Sequence, residues 1–437
     1  MRHGLGRRLS GSLLHDGVFR AVLASGVSAR FAAAAMTALL GFQVFSITGR
    51  ALDLGWLGLV EAIPGVGLVL YGGHVADRVR RRSILLITSA LFTILAAGTA
   101  LASAALPGQV WPLFVVAFLL GVVRAFEDPA ASGLEAQVVP LHALVRGTAT
   151  MATAARLAGV LGPVLGGLLW SAAGAVGTYW VIAGLFAVSF LALLPVPDSA
   201  QPAIEADHRG TLVRIAEGVR FVARDQLLLG SMLLDLFAVF FGGATALLPA
   251  IATDVLHVGP VGFGLLRGAS AAGSLLAAMG AARVLPERRA GVALLWVIFG
   301  FGVSIVVFGL SRMLWLSLVA LFVAGLCDGL SVVIRRAILR LASPEGMRGR
   351  IAAVKSVFVG SSNELGAFES GMMASWLGVT AAVWSGGLVT IGVVGLTAWL
   401  FPQLRQLDLV ARADQESISP SSLSRVGSSA PSASSTG

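Results

Sequence analysis

The chain has 437 residues, 57% of them hydrophobic and only 12% charged, with a mean hydropathy of +0.88. Soluble domains are about 25% charged and 45–50% apolar, so a water-soluble single core and a disordered chain are both excluded. The net charge of +9 would suggest nucleic acid in a soluble protein, but in a membrane protein it belongs to the cytoplasmic loops, and no nucleic-acid partner is expected.

Arg2, Arg7 and Arg8 open the chain in the manner of a targeting signal. The apolar stretch that follows runs from Val18 to about Thr48 with Arg30 in its middle, too long and too interrupted for a cleaved signal, so it reads as a retained first span. Residues 83–123 and 157–197 hold no charge at all. A crossing takes about 20 apolar residues, so each stretch is two crossings joined by a turn. Spans are expected at 18–46, 54–74, 83–106, 110–128, 148–171 and 176–195, then at 227–250, 260–282, 290–310, 313–333, 351–375 and 380–401. The expected fold is all-α, a polytopic membrane protein of twelve helices in two six-helix bundles.

Loop charge sets the orientation. With the N-terminus inside, the outer loops carry only Arg50 and Arg312, whereas the inner ones carry Arg78, Arg80, Arg81, Arg82, Arg146, Arg283, Arg288, Arg289 and more. Both termini are therefore expected on the cytoplasmic side of a plasma membrane. The chain divides into a cytoplasmic segment 1–17, a bundle 18–195, a linker 196–226, a second bundle 227–404 and a tail 405–437. In the linker Leu212, Ile215, Ala216, Val219, Phe221 and Val222 recur at helical spacing, which predicts an amphipathic helix on the inner membrane surface. The Ser- and Pro-rich stretch 417–437 reads as a disordered tail.

Lys355 is the only lysine and follows Val354, so no Gly-Lys-Ser/Thr phosphate loop exists. Pumping must draw on an ion gradient or a separate subunit; no cofactor is expected, and the chain reads as a monomer. Cys327, the lone cysteine, forms no internal disulfide. An intramembrane enzyme would need His-Glu-x-x-His, Gly-x-Gly-Asp or a Ser/His pairing inside spans, and the sequence has none.

The two halves align at offsets of 202 to 206 residues, with Gly67 on Gly273, Gly121 on Gly325 and Arg146-Gly147 on Arg348-Gly349. At those offsets Arg30 meets Asp235, Glu61 meets Arg267 and Arg124 meets Asp328, each pair opposite in sign. Parallel repeats about an axis along the membrane normal are a transporter architecture with the substrate site between the halves. Spans 3, 6, 9 and 12 are uncharged between their ends. Every deep charge falls in the other eight: Arg30, Glu61, Arg124, Arg156, Asp235, Arg267, Asp328, Glu364 and Glu369. An ionised group at mid-bilayer costs at least about 2.5–3.5 kcal/mol, so these side chains should face protein or a water-filled path, and the third helix of each triplet should face lipid.

The loop after span 2 reads Gly73-His74-Val75-Ala76-Asp77-Arg78-Val79-Arg80-Arg81-Arg82 and matches G-x-x-x-D-R-x-x-R-R, a signature of the major facilitator superfamily, which the chain resembles from about Val18 to Leu404. Here Gly73 would allow close helix contact, Asp77 could cap a helix, and Arg78, Arg81 and Arg82 could bind helix ends in one access state only. Arg124 resembles the fourth-span arginine that the family links to proton movement. It also forms an i,i+4 pair with Asp128, next to Glu127, where the family often has Gln and Gly. Gly162, Pro163, Gly166 and Gly167 resemble the fifth-span motif of proton-coupled exporters, although Ala158 replaces a usual glycine. Arg124-Ala-Phe-Glu-Asp-Pro-Ala and Ser362-Asn-Glu-Leu-Gly-Ala-Phe-Glu-Ser-Gly371 are similar to the branch that includes siderophore and drug exporters.

The resemblance implies efflux of a small amphipathic compound by proton antiport; uptake or uniport on the same fold is the alternative. No histidine lies deep in a span, so proton coupling should rest on carboxylates, with Asp235, Asp328, Glu61 and Glu364 as candidates. Burial raises a carboxyl pKa and a nearby arginine lowers it, so a carboxylate that meets its arginine in one access state would bind and release a proton. Arg30 and Arg267 are the candidate switching partners, or binders of an anionic substrate. Permanent ion pairs that only fix packing are the competing reading for each. Glu364 and Glu369 are five residues apart and should not share a helix face.

Overall fold

The computed structural model describes residues 16–139, 143–197, 211–284, 289–343 and 347–408, and among them every regular element is helical. Helix α1 (Gly17–Thr48) starts at Asp16, whose Oδ1 accepts from the amides of Val18 at 2.8 Å and Phe19 at 3.3 Å, and stops at the left-handed Gly49. Then follow α2 (Ala51–Arg78), α3 (Arg81–Ala105) and α4 (Trp111–Val138). A continuous run, Leu144–Leu193, breaks at Gly174 (φ 64°) into α5 (144–173) and α6 (175–193).

The second half repeats the plan. It holds α7 (Gln226–Phe241), α8 (Gly259–Val284), α9 (Ala290–Leu310), α10 (Leu314–Ala342), α11 (Arg348–Leu377) and α12 (Val379–Leu400). The turn from α11 to α12 uses Gly378 (φ 87°), which stands 204 positions after Gly174. A β-carbon would strain either turn, so the repeat shows in the backbone as well as in the charges.

Helix α7 departs from the expected single span. It breaks after Phe241, resumes at Leu248–Ala250 and ends in a π-turn, Ile251–Val255. Gly243 permits the break to lie against α11, since a Cβ there would sit 2.9 Å from the Ser370 hydroxyl. Helices α4 and α10 also outrun their expected ends, to Val138 and Ala342, and so carry Glu135 and Arg335. Among the described residues, eight helical stretches are long and apolar enough to cross a membrane, counting the α5–α6 run once. The remaining three, α4, α7 and α11, fall short because of buried charge, the break and a polar composition, respectively.

Close helix approach is made by small residues, as expected where lipid removes a hydrophobic drive between helices. Gly121 of α4 lies on the Glu61 carbonyl of α2, and Gly325 of α10 lies on the Ser270 carbonyl of α8, which are equivalent contacts in the two bundles. Phe92 of α3 stacks on Phe186 of α6, and Leu228, Leu294, Ile338 and Ile351 fill the second bundle. Ile94, Trp180, Trp296 and Trp399 point outward from α3, α6, α9 and α12, in keeping with an uncharged outer wall. The linker contains a helix, Thr211–Arg224, whose Val222 is buried in the second bundle's core beside Leu227 and Leu404. That helix caps the bundle instead of resting on the membrane surface alone. The 417–437 stretch lies outside the described residues.

Candidate functional site

Between the bundles lies a cavity of about 380 Å³, walled by α1, α2 and α4 on one side and by α7, the segment after its break, α8 and α11 on the other. Four of the expected charges meet there: Glu61, Arg124, Arg267 and Glu364. Arg124 donates to Glu61 Oε1 at 2.5 Å and to Thr37 Oγ1 at 2.5 Å, tying α4 to α2 and α1. The pairing with Asp128 expected from the sequence is not made, because Arg124 crosses to α2 instead. Arg267 and Glu364 have no ion pair within 4.0 Å among the described residues.

The remaining deep charges stand elsewhere. Arg30 is held by Glu135 of α4 at 2.6 Å and faces a separate cavity of about 360 Å³ inside the first bundle, together with Glu127 and Asp128. Asp235 pairs with Arg335 of α10, and both are buried in the second bundle beside Lys355. Neither Arg30 nor Asp235 reaches the central cavity. Arg156, Asp328 and Glu369 are half-buried and line none of these cavities. Glu364 lines the cavity and Glu369 does not, as their spacing on α11 requires. Thr37, Glu135 and Arg335 escaped the sequence reading. Thr37 carries no charge to attract notice, and the other two lie beyond the expected span ends.

The bundles meet tightly toward the face of Arg50 and Arg312. A Cβ on Gly371 of α11 would stand 2.9 Å from the Ala51 carbonyl and 3.1 Å from Gly55 Cα of α2. Phe42 of α1 stacks on Phe263 of α8 at 5.2 Å, and Trp56 of α2 meets Phe368 of α11 at 4.9 Å. The glycine motif of α5 contributes to the same seal. Gly167 abuts the Pro260 carbonyl of α8 and the Pro163 carbonyl abuts Gly264, whereas Gly162 and Gly166 pack within the first bundle, where a Cβ on Gly162 would stand 2.8 Å from the Phe31 carbonyl of α1 and Gly166 meets Ala35 and Leu39. Toward the arginine-rich face the bundles part. A second cavity of about 230 Å³ shares Glu61, Arg124 and Glu364 with the first and continues past Gly65, Val69 and Asp128. There the approach is looser, and a Cβ on Gly360 of α11 would make only ordinary van der Waals contact with Val66 of α2, at 3.9 Å. The pathway is sealed at the arginine-poor face and more loosely packed toward the arginine-rich one, its open face.

The loop signature after α2 is placed at the open face. Gly73 has open space around it, and its neighbour Gly72 is the residue pressed on α4, at the Ala125 carbonyl. This corrects the role expected for Gly73. Asp77 and Arg78 are exposed, and Asp77 caps neither α3, whose first residue follows Arg80, nor any other described helix. Arg81 donates to the Gly133 carbonyl of α4 at 2.9 Å, and Arg82 to the Leu193 and Leu194 carbonyls at 3.2 and 2.8 Å. The last two acceptors are the negative end of α6.

The sequence profile of the Major Facilitator Superfamily matches residues 19–311. The chain belongs to that superfamily. Among its superfamily relatives, the multidrug efflux pump Tap of Mycolicibacterium fortuitum is 26% identical over 379 residues, covering 84% of this chain and 92% of Tap. The enterobactin exporter EntS of Shigella boydii is 30% identical over 390 residues, covering 86% of this chain and 90% of EntS. Two solved structures share the fold at low identity. A POT family transporter in complex with a thioalcohol conjugated peptide has a TM-score of 0.70 at 12% identity, covering 88% of this chain and 96% of that one. The nucleoside transporter NupG has a TM-score of 0.66 at 13% identity, covering 89% and 99%. The superfamily fold is therefore a twelve-span, two-bundle membrane transporter, and its central cavity here holds the four charges described above.

Proposed function

We propose that this chain is a proton-driven efflux carrier for a small amphipathic compound, working by alternating access. The observation that carries the reading is the Glu61–Arg124 pair on the wall of a cavity sealed at one face. Excess arginine marks the cytoplasmic side, so the open face loads cargo from the cytoplasm and both termini lie there. The names of Tap and EntS, an efflux pump and an exporter, support the outward direction.

Protonating Glu61 removes the charge that holds Arg124 and loosens α4 from α2. A freed Arg124 can then turn to Glu364 across the cavity as the bundles rock. Proton arrival from the outer side would thus accompany cargo release, and proton loss to the cytoplasm would restore the pair. The energy source is the proton gradient, with no cofactor, and the carrier works as a monomer with no chemical step.

Inverted vesicles with an acidified lumen test this reading. Uptake of a fluorescent drug-like dye that collapses when the gradient is dissipated is expected. Dye movement that ignores the gradient would replace efflux by uniport, and accumulation only with the gradient reversed would replace it by uptake.

A further inference from the structure

The four cavity charges are not equivalent. Glu61 and Arg124 satisfy each other, whereas Arg267 of α8 and Glu364 of α11 make no ion pair and no hydrogen bond among the described residues. Both free groups belong to the second bundle. Glu364 Oε2 lies 3.2 Å from where a Cβ on Gly58 of α2 would stand, so the glycine leaves the carboxylate facing space instead of a side chain. A free guanidinium offers a planar fork of five donors, matched to a carboxylate or similar oxyanion.

The four charges also sum to zero. Cargo with a net charge would leave one of them uncompensated once the bundles close around it, which is costly, whereas a dipolar cargo with both signs would leave none. The rest of the wall sets Thr37, Thr245 and Asn363 among Leu40, Leu54, Leu57, Val239 and Pro249, and the apolar side chains suit a hydrophobic body. The volume is within the range of small-molecule sites, about 300–1,000 Å³.

Resting on the reading of this cavity as the cargo site, we propose that the second bundle selects net-neutral, dipolar amphiphiles, with an anionic group on Arg267 and a cationic or hydrogen-donating group on Glu364. Arg30, the other candidate for an anionic substrate, is excluded from this role by Glu135 and by its position off the cavity.

Tetramethylrhodamine is a zwitterion, and its methyl ester is a cation on the same ring system. Fluorescence polarisation of each with the purified full chain in detergent measures the preference directly. The wild type is expected to prefer the zwitterion, and Arg267→Gln to shrink that preference by about tenfold or more, the worth of one charge-assisted hydrogen-bonded contact. Glu364→Gln is expected to weaken both dyes. Arg267→Lys keeps the charge but loses the fork, and should give an intermediate preference. That variant carries the test if Arg267→Gln does not fold. An unchanged preference in the foldable Arg267 variant, equal binding of the two dyes by the wild type, or binding of neither would overturn the proposal. Binding in detergent needs no gradient, so a chain that selects through Arg267 but pumps nothing loses only the efflux reading. A chain that pumps both dyes equally loses only this one.

Discussion

Asp235 of α7 is ion-paired with Arg335 of α10 in the interior of the second bundle, away from the central cavity. The first bundle contains its counterpart with the signs exchanged, Arg30 of α1 on Glu135 of α4. The equivalent helices are tied in both halves, within about a turn of the same depth. The placement of Asp235 points to packing. Asp235→Asn would leave Arg335 charged and without its carboxylate in a dry interior, a loss of about 3–5 kcal/mol. The expected result is a clearly lowered melting temperature in detergent, largely recovered in the Asp235→Leu/Arg335→Leu double variant. Unchanged melting with abolished gradient-driven transport would instead return Asp235 to the coupling machinery.

Glu61 should behave in the opposite way. Its partner Arg124 keeps a hydrogen bond to Thr37 and borders three cavities, so the pair has access to water and its loss should destabilise less. Glu61→Gln keeps the shape and removes the charge that a proton would otherwise remove. Gradient-driven dye transport is expected to fall at least about tenfold, the worth of a charge-assisted hydrogen bond, while cargo still equilibrates without a gradient. The check is to compare pH-driven uptake with dye counterflow in the same vesicles. Gradient-driven uptake at the wild-type rate would remove Glu61 from coupling.

Much of this was legible in the residues. Charge-free stretches give α3, α6, α9 and α12, because apolar length and loop arginines report directly on the bilayer. The inverted charges of Glu61 and Arg267 point to one cavity, and both line it. What the sequence hides is pairing. Arg124 is four residues from Asp128 yet bonds Glu61, 63 positions away, because the Gly121 contact brings α4 onto α2. Glu135 and Arg335 escaped because hydropathy ends a span where charges cluster, at Glu127-Asp128 and at Arg335-Arg336, whereas α4 and α10 run on as helices. Gly72, not Gly73, faces α4; a consensus spacing fixes which residues recur but not their rotation about the helix axis.

Gly371 packs against α2 at the sealed face, where even a methyl group would meet the Ala51 carbonyl at 2.9 Å. Backbone cannot yield as a flexible side chain can, so a larger residue must push the bundles apart there, at a cost of about 1–3 kcal/mol. Gly371→Leu should therefore favour the state open at the arginine-poor face. In a Cys327→Ser, Thr245→Cys chain, a membrane-impermeant maleimide added on that side should label the cavity roughly tenfold faster once Gly371→Leu is present, by the conversion of about 1.4 kcal/mol per decade. Labelling at the same rate would mean that Gly371 is no part of the seal.

Asp77 makes no cap in the state described here and is exposed, beyond the Val69 end of the second cavity. When the arginine-rich face closes, the end of α2 must move toward the start of α11, whose first amides, beginning at Arg348, lack an intrahelical partner. A carboxylate is well suited to accept from such amides, and an N-cap is worth typically about 1 kcal/mol. Asp77→Asn should therefore hold the carrier open to the arginine-rich side, with turnover reduced roughly fivefold by the same conversion. A cysteine at Val69, in the open second cavity, reports the balance when labelled from that side in a Cys327→Ser background. Faster labelling with slower turnover is the expected result. If Asp77→Asn changed neither, the exposed carboxylate would have no part in closing the gate.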